Sequence, residues 1–245
     1  SGSTLTHSGG VLNIGAKTLT LSGGGTFANV DQLVLNDAGG ELEFSGDSIT
    51  TVSHVKISSG DISNAPTLKM TGSGVIQNLA HEEFSEINFA SGKTLSITEA
   101  FEVPYGKQMT ITGAAGTISI GDKITLTGTL KSSVANTTLS GGTVNLNGGT
   151  LQVDEDINFI SDLAQQANSS IVVANGKNLN YSGNVFNVGA QMLTLSGAGV
   201  FANTNNLTLN DPASSLKLNG ISKVDNVSIS AALTSGKLEI AQNAT

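Results

Sequence analysis

Apolar and polar residues alternate in short triplets along the whole chain. Several triplets follow a glycine, as in GKTLSI (92–97), GKQMTI (106–111), GDKITL (121–126) and GKNLNY (176–181). Alternation with a period of two is typical of a β-strand that buries one face. The glycine- and asparagine-rich segments between the triplets favour tight turns, because these residues tolerate positive φ angles. The pattern therefore predicts many short strands joined by turns.

The triplets recur at a nearly even spacing. The first apolar residue of one series is Leu19, Leu42, Leu68, Leu95, Ile118, Val144, Ile171, Leu193, Leu216 and Leu238. A second series falls roughly midway, at Leu33, Val55, Met109, Leu130, Ile157, Leu207 and Val227. A repeat of this length is typical of solenoids, in which stacked coils bury each other's apolar side chains.

A long internal repeat supports stacked coils. VLNIGAKTLTLSGGGTFANVDQLVLND (11–37) and VFNVGAQMLTLSGAGVFANTNNLTLND (185–211) are identical at 17 of 27 positions. The repeat predicts an inward-facing core set: Leu19, Leu21, Phe27, Leu33, Leu35, Leu193, Leu195, Phe201, Leu207 and Leu209. It also predicts that Thr20, Thr194 and Thr208 face water.

We expect an all-β fold, a right-handed parallel β-helix (β-solenoid) of about ten coils with about 22–27 residues per coil. A β-sandwich is the alternative, because short strands on an even rhythm also build that fold. The pattern blurs at 75–90 and 154–170. Within these segments, 78–89 and 161–170 have helical character, and there we expect irregular coils or insertions with about one turn of helix each. No linker is visible, so residues 1–245 are expected to form a single domain, a fragment or repeat unit of a longer protein.

The net charge limits the classes of binding partner that we expect. The chain carries 11 basic residues, all lysine, and 19 acidic residues, for a net charge of −8. Without a basic stripe we expect no nucleic-acid partner and no attraction to anionic membranes. No apolar run reaches the length of a spanning helix, so membrane insertion is not expected. The absence of cysteine excludes disulfides and thiolate metal sites.

The strongest carboxylate cluster is Asp154-Glu155-Asp156. Consecutive strand residues point to opposite faces, so only Asp154 and Asp156 could converge. Together they could form a weak calcium site, or the acid pair of a polysaccharide lyase or hydrolase. A solvated turn is the simpler interpretation. We therefore expect no catalytic residue and no cofactor.

The segment His81-Glu82-Glu83-Phe84-Ser85 contains half of a zinc-protease motif, with Ser85 in the place of the second histidine. Such a motif needs two imidazoles on one face of a helix, so we expect no metal here. His7, His54 and His81 are expected to be hydrogen-bonded or solvated.

Threonine ladders on flat solenoid faces can bind ice, so the central residues of the first series are informative. They are Thr20, Glu43, Lys69, Ser96, Ser119, Asn145, Val172, Thr194, Lys217 and Glu239. Charged residues interrupt this ladder, which argues against an ice-matching array. A mixed polar face is compatible with weak glycan or protein contacts.

The triplets in GKTLSI, AKTLTLSGGG and TLSGGTVNLNGG resemble the β-helical stalks of large bacterial surface proteins, namely autotransporter passengers and filamentous-haemagglutinin-like adhesins. The resemblance covers most of the chain but lies in composition and rhythm, so it brings no catalytic or binding residue with it. It implies an extracellular or cell-surface location and a non-enzymatic role in adhesion, spacing or matrix building.

The partners implied are a glycan or a host or cell-surface ligand. The alternative function is a carbohydrate-active enzyme or a glycan-binding module on a β-helix. Neither end of the sequence shows a capping element, so we expect either a fragment of a longer solenoid or head-to-tail self-association.

Overall fold

The computed structural model describes residues 2–46, 48–59 and 62–241. Within these residues the chain is all-β, without a helix, and forms a β-solenoid of about eleven turns with about 22 residues per turn. Neighbouring strands of the described residues pair in parallel, and the one antiparallel contact among them is an isolated bridge between Ser196 and Gly220. The solenoid prediction is confirmed. The sandwich alternative is wrong, because sandwich sheets are antiparallel.

The described residues contain 29 strands. The first ten are β1 (Ser3–His7), β2 (Leu12–Asn13), β3 (Thr18–Ser22), β4 (Gly25–Asn29), β5 (Leu33–Leu35), β6 (Glu41–Ser45), β7 (Thr50–Ile57), β8 (Thr67–Met70), β9 (Gly74–His81) and β10 (Ser85–Phe89). The next ten are β11 (Thr94–Ile97), β12 (Phe101–Val103), β13 (Gln108–Gly113), β14 (Thr117–Leu126), β15 (Thr129–Ser132), β16 (Thr137–Asn147), β17 (Thr150–Val153), β18 (Ile157–Phe159), β19 (Asp162–Ala167) and β20 (Ser169–Val173). The last nine are β21 (Asn178–Tyr181), β22 (Phe186–Val188), β23 (Met192–Ser196), β24 (Val200–Asn203), β25 (Leu207–Leu209), β26 (Ser215–Asn219), β27 (Lys223–Val224), β28 (Val227–Ile229) and β29 (Lys237–Ile240).

Each full coil supplies three strand segments, one to each of three faces. The first face is a continuous sheet of 11 strands: β3, β6, β8, β10, β13, β15, β17, β20, β23, β26 and β29. The second face contains β1, β4, the first halves of β7, β9, β14 and β16, and β11, β18, β21, β24 and β27. The third face contains the remaining strands and strand halves. Because β7, β9, β14 and β16 run through the corner between the second and third faces, much of both faces is joined into a 15-stranded sheet.

Apolar side chains stack in columns inside the coils. On the first face Leu42 lies opposite Leu68, and Leu68 lies opposite Ile87. All three side chains are fully buried in a single continuous core. Burying each such side chain is worth roughly 1.5–3 kcal/mol, and stacking is what makes the burial possible.

Most of the core set predicted from the internal repeat is buried. Leu33, Leu35, Leu193, Leu195, Phe201, Leu207 and Leu209 are fully buried. Leu19, Leu21 and Phe27 are half-buried and pack against the core. The strand that carries Leu19 and Leu21, β3, is the end strand of the first face, and Phe27 is covered on one side by β1 alone.

The prediction for the three outward threonines is wrong at one position. Thr20 is exposed and Thr194 is half-buried, but Thr208 is buried and its hydroxyl lies 2.8 Å from that of Ser228 in the next coil. The buried environment on the third face extends to outward-facing positions, because Asn145 and Val34 are also buried there.

The even series in the sequence does not follow a single face. Leu95 does lie opposite Ile118, but on the second face, and Val144 lies on the third face. The reason is that coil length varies, from 19 residues between Leu68 and Ile87 to 26 between Leu42 and Leu68. The shortest coils fall below the expected range.

The expectation of helical turns at 78–89 and 161–170 is wrong. These segments form the end of β9, all of β10 and β19, and the start of β20. Their glutamates and glutamines favour helix, but Leu79 stacks opposite Val55 and Leu163 opposite Val144. Burial in the stack overrides the local propensity.

The recurrent Gly-Lys dipeptides have a structural reason. In the segments 90–93, 104–107 and 174–177 the lysine N–H donates to the carbonyl three residues earlier, which closes a tight turn. The glycines Gly92, Gly106 and Gly176 are third in these turns and have φ of 72°, 72° and 69°. A positive φ at this position favours glycine.

Candidate functional site

The carboxylates of Asp154, Glu155 and Asp156 lie in the turn between β17 and β18 and bind protein donors. Asp154 accepts from Lys131 Nζ at 2.8 Å in the preceding coil and from Gln152 Nε2 at 2.8 Å. Asp156 Oδ1 accepts from the backbone N–H of Asn178 at 2.6 Å in the following coil. The cluster therefore braces three coils against one another.

Asp154 is hydrogen-bonded to the preceding coil, and Asp156 is hydrogen-bonded to the following coil. Burial opposes ionisation of Asp154, but the hydrogen bonds from Lys131 and Gln152 outweigh it and lower the pKa of Asp154 below its usual value. A carboxylate bound by a lysine is a poor partner for a second cation. Among the described residues there is no group of three or more His, Asp or Glu side chains that could hold a metal ion.

His81 and Ser85 meet across a corner of the coil. His81 ends β9 on the third face, Ser85 begins β10 on the first face, and His81 Nε2 lies 2.9 Å from Ser85 Oγ. The side chains are 4% and 2% exposed, and burial lowers the pKa of His81 to about 4. The distance is that of a nucleophile and its base. Both side chains are almost completely buried, so little of the pair is open to solvent.

The expectation that His81 is hydrogen-bonded or solvated is confirmed at Nε2, which lies within hydrogen-bond distance of Ser85 Oγ, but not at the other ring nitrogen. Its Nδ1 is buried without a partner in the described part of the chain, and so is Nδ1 of His7. The His7 ring stacks on Phe27 with the ring centroids 6.4 Å apart. His54 is hydrogen-bonded through its backbone, because its N–H donates to Asn29 Oδ1.

A groove of roughly 450 Å³ lies on the first face beside residues 62–65. Its polar lining consists of Ser63, Asn64, Thr67, Ser85, Glu86, Gln108 and Thr110. The Phe84 ring forms one wall, and Lys107 Nζ lies 5.5 Å from the ring centroid. Amides, hydroxyls and one carboxylate can hydrogen-bond a polar ligand, and the ring offers an apolar contact.

Several outward residues of the first face, including Glu86 of the groove, are bonded to one another across coils. Glu43 accepts from Thr71 Oγ1 at 2.8 Å and from Thr20 Oγ1 at 3.0 Å, so it links three coils. The hydrogen bond from Thr71 is the main cause of the lowered pKa of Glu43. Thr112 likewise donates to Glu86 in the preceding coil. Exposed pairs of this kind add little stability singly.

The second face is different, because three successive coils repeat a Thr-x-Ser triplet in register. Thr94, Thr117 and Thr138 form one row, and Ser96, Ser119 and Ser140 form a parallel row. All six side chains are half-buried and alternate with buried leucines and isoleucines. None of the six hydroxyls is hydrogen-bonded within the described chain.

The neutral character extends beyond these three coils. The outward positions of the second-face strand segments from β1 to β24 are Thr4, Thr6, Thr26, Ala28, Thr51, Ser53, Val75, Gln77, Thr94, Ser96, Thr117, Ser119, Thr138, Ser140, Asn158, Asn178, Asn180, Val200 and Ala202. Not one of these positions is charged, and the first charge on this face is Lys223 in β27.

Sequence reasoning missed this array. The single series placed Ser96 and Ser119 in one ladder with Glu43, Lys69 and Lys217, which lie on the first face. The signal was present as three Thr-x-Ser triplets at 94–96, 117–119 and 138–140. They form a separate series once each face is followed by itself.

The fold and surfaces place the chain among the parallel β-solenoids. Comparison with known protein families, with characterised proteins and with solved structures gives no significant match to this chain. The residues that the structure describes include no helix able to span a membrane.

Proposed function

We propose that this chain is a non-enzymatic structural or adhesive segment of an extracellular bacterial surface protein. The observation that carries the proposal is the uninterrupted first face, a parallel sheet of 11 strands whose coils are also joined by side-chain pairs. At about 4.8 Å per coil, the stack is a rod on the order of 50 Å long. Such a rod holds its two ends at a fixed separation, which is what a stalk or matrix building block requires.

The groove on the first face is the surface we propose for adhesion. Asn64 and Gln108 supply amides, Thr67 and Thr110 supply hydroxyls, and Phe84 supplies an apolar wall. This mixture suits a glycan, whose hydroxyls both donate and accept hydrogen bonds. The ligand class is therefore a glycan of a host or cell surface.

The rival function is a polysaccharide lyase or hydrolase. Glycoside hydrolysis uses two carboxyl groups on either side of the bond that breaks. Among the groove residues described, Glu86 is the single carboxylate, and it already accepts from Thr112 and from Asn88. Asp154 and Asp156 are each bound by protein donors. These contacts favour binding over catalysis.

A glycan array with the labelled full chain tests this proposal. We expect retention on at least one glycan, loss of retention in Gln108→Ala, and unchanged retention in Thr150→Ala, which alters the first face outside the groove. The same glycans are then assayed for released sugar products. Release that Glu86→Gln abolishes would show an enzyme, and labelling of producing cells only after permeabilisation would contradict the surface location.

We further propose that residues 1–245 are one solenoid domain, a fragment or repeat unit whose outer coils are covered by further coils or by a second copy. Ile229 and Ile240 in the last coil are 53% and 62% exposed, whereas Leu209 and Leu218, opposite them in the coil before, are buried. Light scattering on the chain at rising concentration tests the second-copy arrangement. A strict monomer at high concentration would contradict it.

A further inference from the structure

The two rows of hydroxyls on the second face form a regular two-dimensional array. Neighbouring strands lie about 4.8 Å apart, and residues two apart along a parallel strand are separated by about 6.6 Å. The register between Thr94, Thr117 and Thr138 is constant, as is that between Ser96, Ser119 and Ser140, so the rows are straight. Thr4, Thr26 and Thr51 are in register with the serine row, from which Val75 in the intervening coil separates them.

The hydroxyls of this array are free to bond to something outside the protein. On the first face the hydroxyls of Thr20, Thr71 and Thr112 donate to glutamates in neighbouring coils. The six hydroxyls of the second-face array have no such partner in the described chain. Threonine is also restricted about χ1, so little side-chain freedom is lost when a row binds.

The array selects a neutral and flat partner. A charged side chain holds its hydration shell strongly and resists docking against a neutral surface. The second-face strand segments from β1 to β24 carry no charged side chain at their outward positions. Small ligands are bound in concave pockets, whereas this array lies on the outside of a sheet. No aromatic ring stands among the described outward residues of this face to stack on a sugar.

We propose that the second face binds ice through the array of six hydroxyls on Thr94, Thr117, Thr138, Ser96, Ser119 and Ser140. A plane of ice presents neutral oxygen atoms that both donate and accept hydrogen bonds at a regular repeat in two directions. The threonine and serine rows offer hydroxyls with the same dual capacity at a regular repeat, with threonine methyl groups between them. This inference does not depend on the proposed structural or adhesive role, since it concerns a different face.

Ice growth in the presence of the purified full chain tests the proposal. We expect faceted crystals and a measurable gap between the melting and freezing temperatures of a single crystal in a nanolitre droplet. Thr117→Lys, at the centre of the array, and Ser119→Lys should each reduce both effects to the level of buffer. Thr150→Lys, an outward threonine on the first face, is the matched control and should retain them. Melting temperatures of all three variants verify that the solenoid is intact.

Three outcomes would overturn the proposal. The first is round crystals with the unmodified chain, and the second is full activity in folded Thr117→Lys. The third is co-sedimentation with crystalline cellulose or chitin, or a dimer in solution, that Thr117→Lys abolishes. That outcome would assign the array to a neutral polysaccharide or to a second copy.

Discussion

Asn203 and Asn226 hydrogen-bond to each other across neighbouring coils. The buried Asn203 accepts at Oδ1 from the backbone N–H of Asn226 at 3.1 Å, and its Nδ2 donates to the Asn226 carbonyl and, at 2.7 Å, to that of Asn205. Asn29, the equivalent residue of the other repeat copy, bonds to the His54 backbone in the same way. The repeated Phe-Ala-Asn thus supplies a buried amide that pins a corner to the next coil.

We predict that Asn203→Ala lowers the free energy of unfolding by about 3 kcal/mol, because it leaves several buried backbone groups without partners. Asn180→Ala, at an exposed position of the adjacent coil, should change it by less than about 0.5 kcal/mol. Urea unfolding measures both. Equal effects of the two substitutions would contradict the role of the buried amide.

Gly116 leaves room for the Phe89 ring. A Cβ at Gly116 would lie 2.3 Å from Cγ of Phe89, and one at Gly74 would lie equally close to the ring of Phe44. Gly116→Ala should therefore cost about 2 kcal/mol through overpacking. The double variant Gly116→Ala/Phe89→Ala should cost less than the sum of its two single variants, because the ring atoms that the new Cβ meets are gone, whereas Gly189→Ala, where an added Cβ meets nothing, should be mild. Strict additivity of Gly116→Ala and Phe89→Ala would rule out this contact as the cause.

Ser132 is a polar residue in an apolar column. It lies between Ile111 and Val153, is 1% exposed, and its hydroxyl has no partner in the described chain. Ser132→Ala should therefore raise the free energy of unfolding by about 1 kcal/mol. Ser214 is equally buried but donates to the Val188 carbonyl, so Ser214→Ala should lower it by a similar amount. Thermal and urea unfolding distinguish gain from loss, and a loss in Ser132→Ala would mean that its hydroxyl is satisfied.

His81 should make stability depend on pH. Its pKa is about 4 in the folded chain because of burial, below the ordinary value of about 6.5, so the unfolded chain takes up the proton first as the pH falls. The contribution of neutral His81 is complete above about pH 6.5 and is lost toward pH 4. Between about pH 7 and pH 5 the expected loss is about 2 kcal/mol.

Urea unfolding of the double variant His81→Phe/Ser85→Ala provides the control for this pH dependence. Removing both partners takes away the titrating group together with the hydroxyl it bonds. The variant should lose most of the difference between about pH 7 and pH 5. An unchanged difference would place the titrating group elsewhere.

The sequence allowed the strands and most of the core to be predicted, because alternation marks inward positions such as Leu33 and Leu207 directly. It did not allow the faces to be assigned. Coils of different length shift the chain around the stack, so Leu68 lies opposite Ile87 and not opposite the next member of the series, Leu95. The ladder read from the sequence therefore mixed two faces and hid the Thr-x-Ser rows.

The contacts between coils could not be predicted either. His81 and Ser85 are four residues apart, a spacing that indicates one face of a helix, yet they meet across a corner between two strands. The sequence left open that Asp154 and Asp156 converge on one site, but their hydrogen bonds run to opposite neighbouring coils. Such pairings depend on which coils are adjacent, and a single sequence does not contain that information.

The corner between the second and third faces has a mechanical consequence. There β7, β9, β14 and β16 continue from one face to the next without a turn, whereas the other corners of these coils are made of loops. Interstrand bonds therefore follow this edge through several coils, while the other edges have softer joints. The bending stiffness of the solenoid should therefore depend on direction. Bending that strains the corner formed by β7, β9, β14 and β16 should be harder than bending that strains the loop corners.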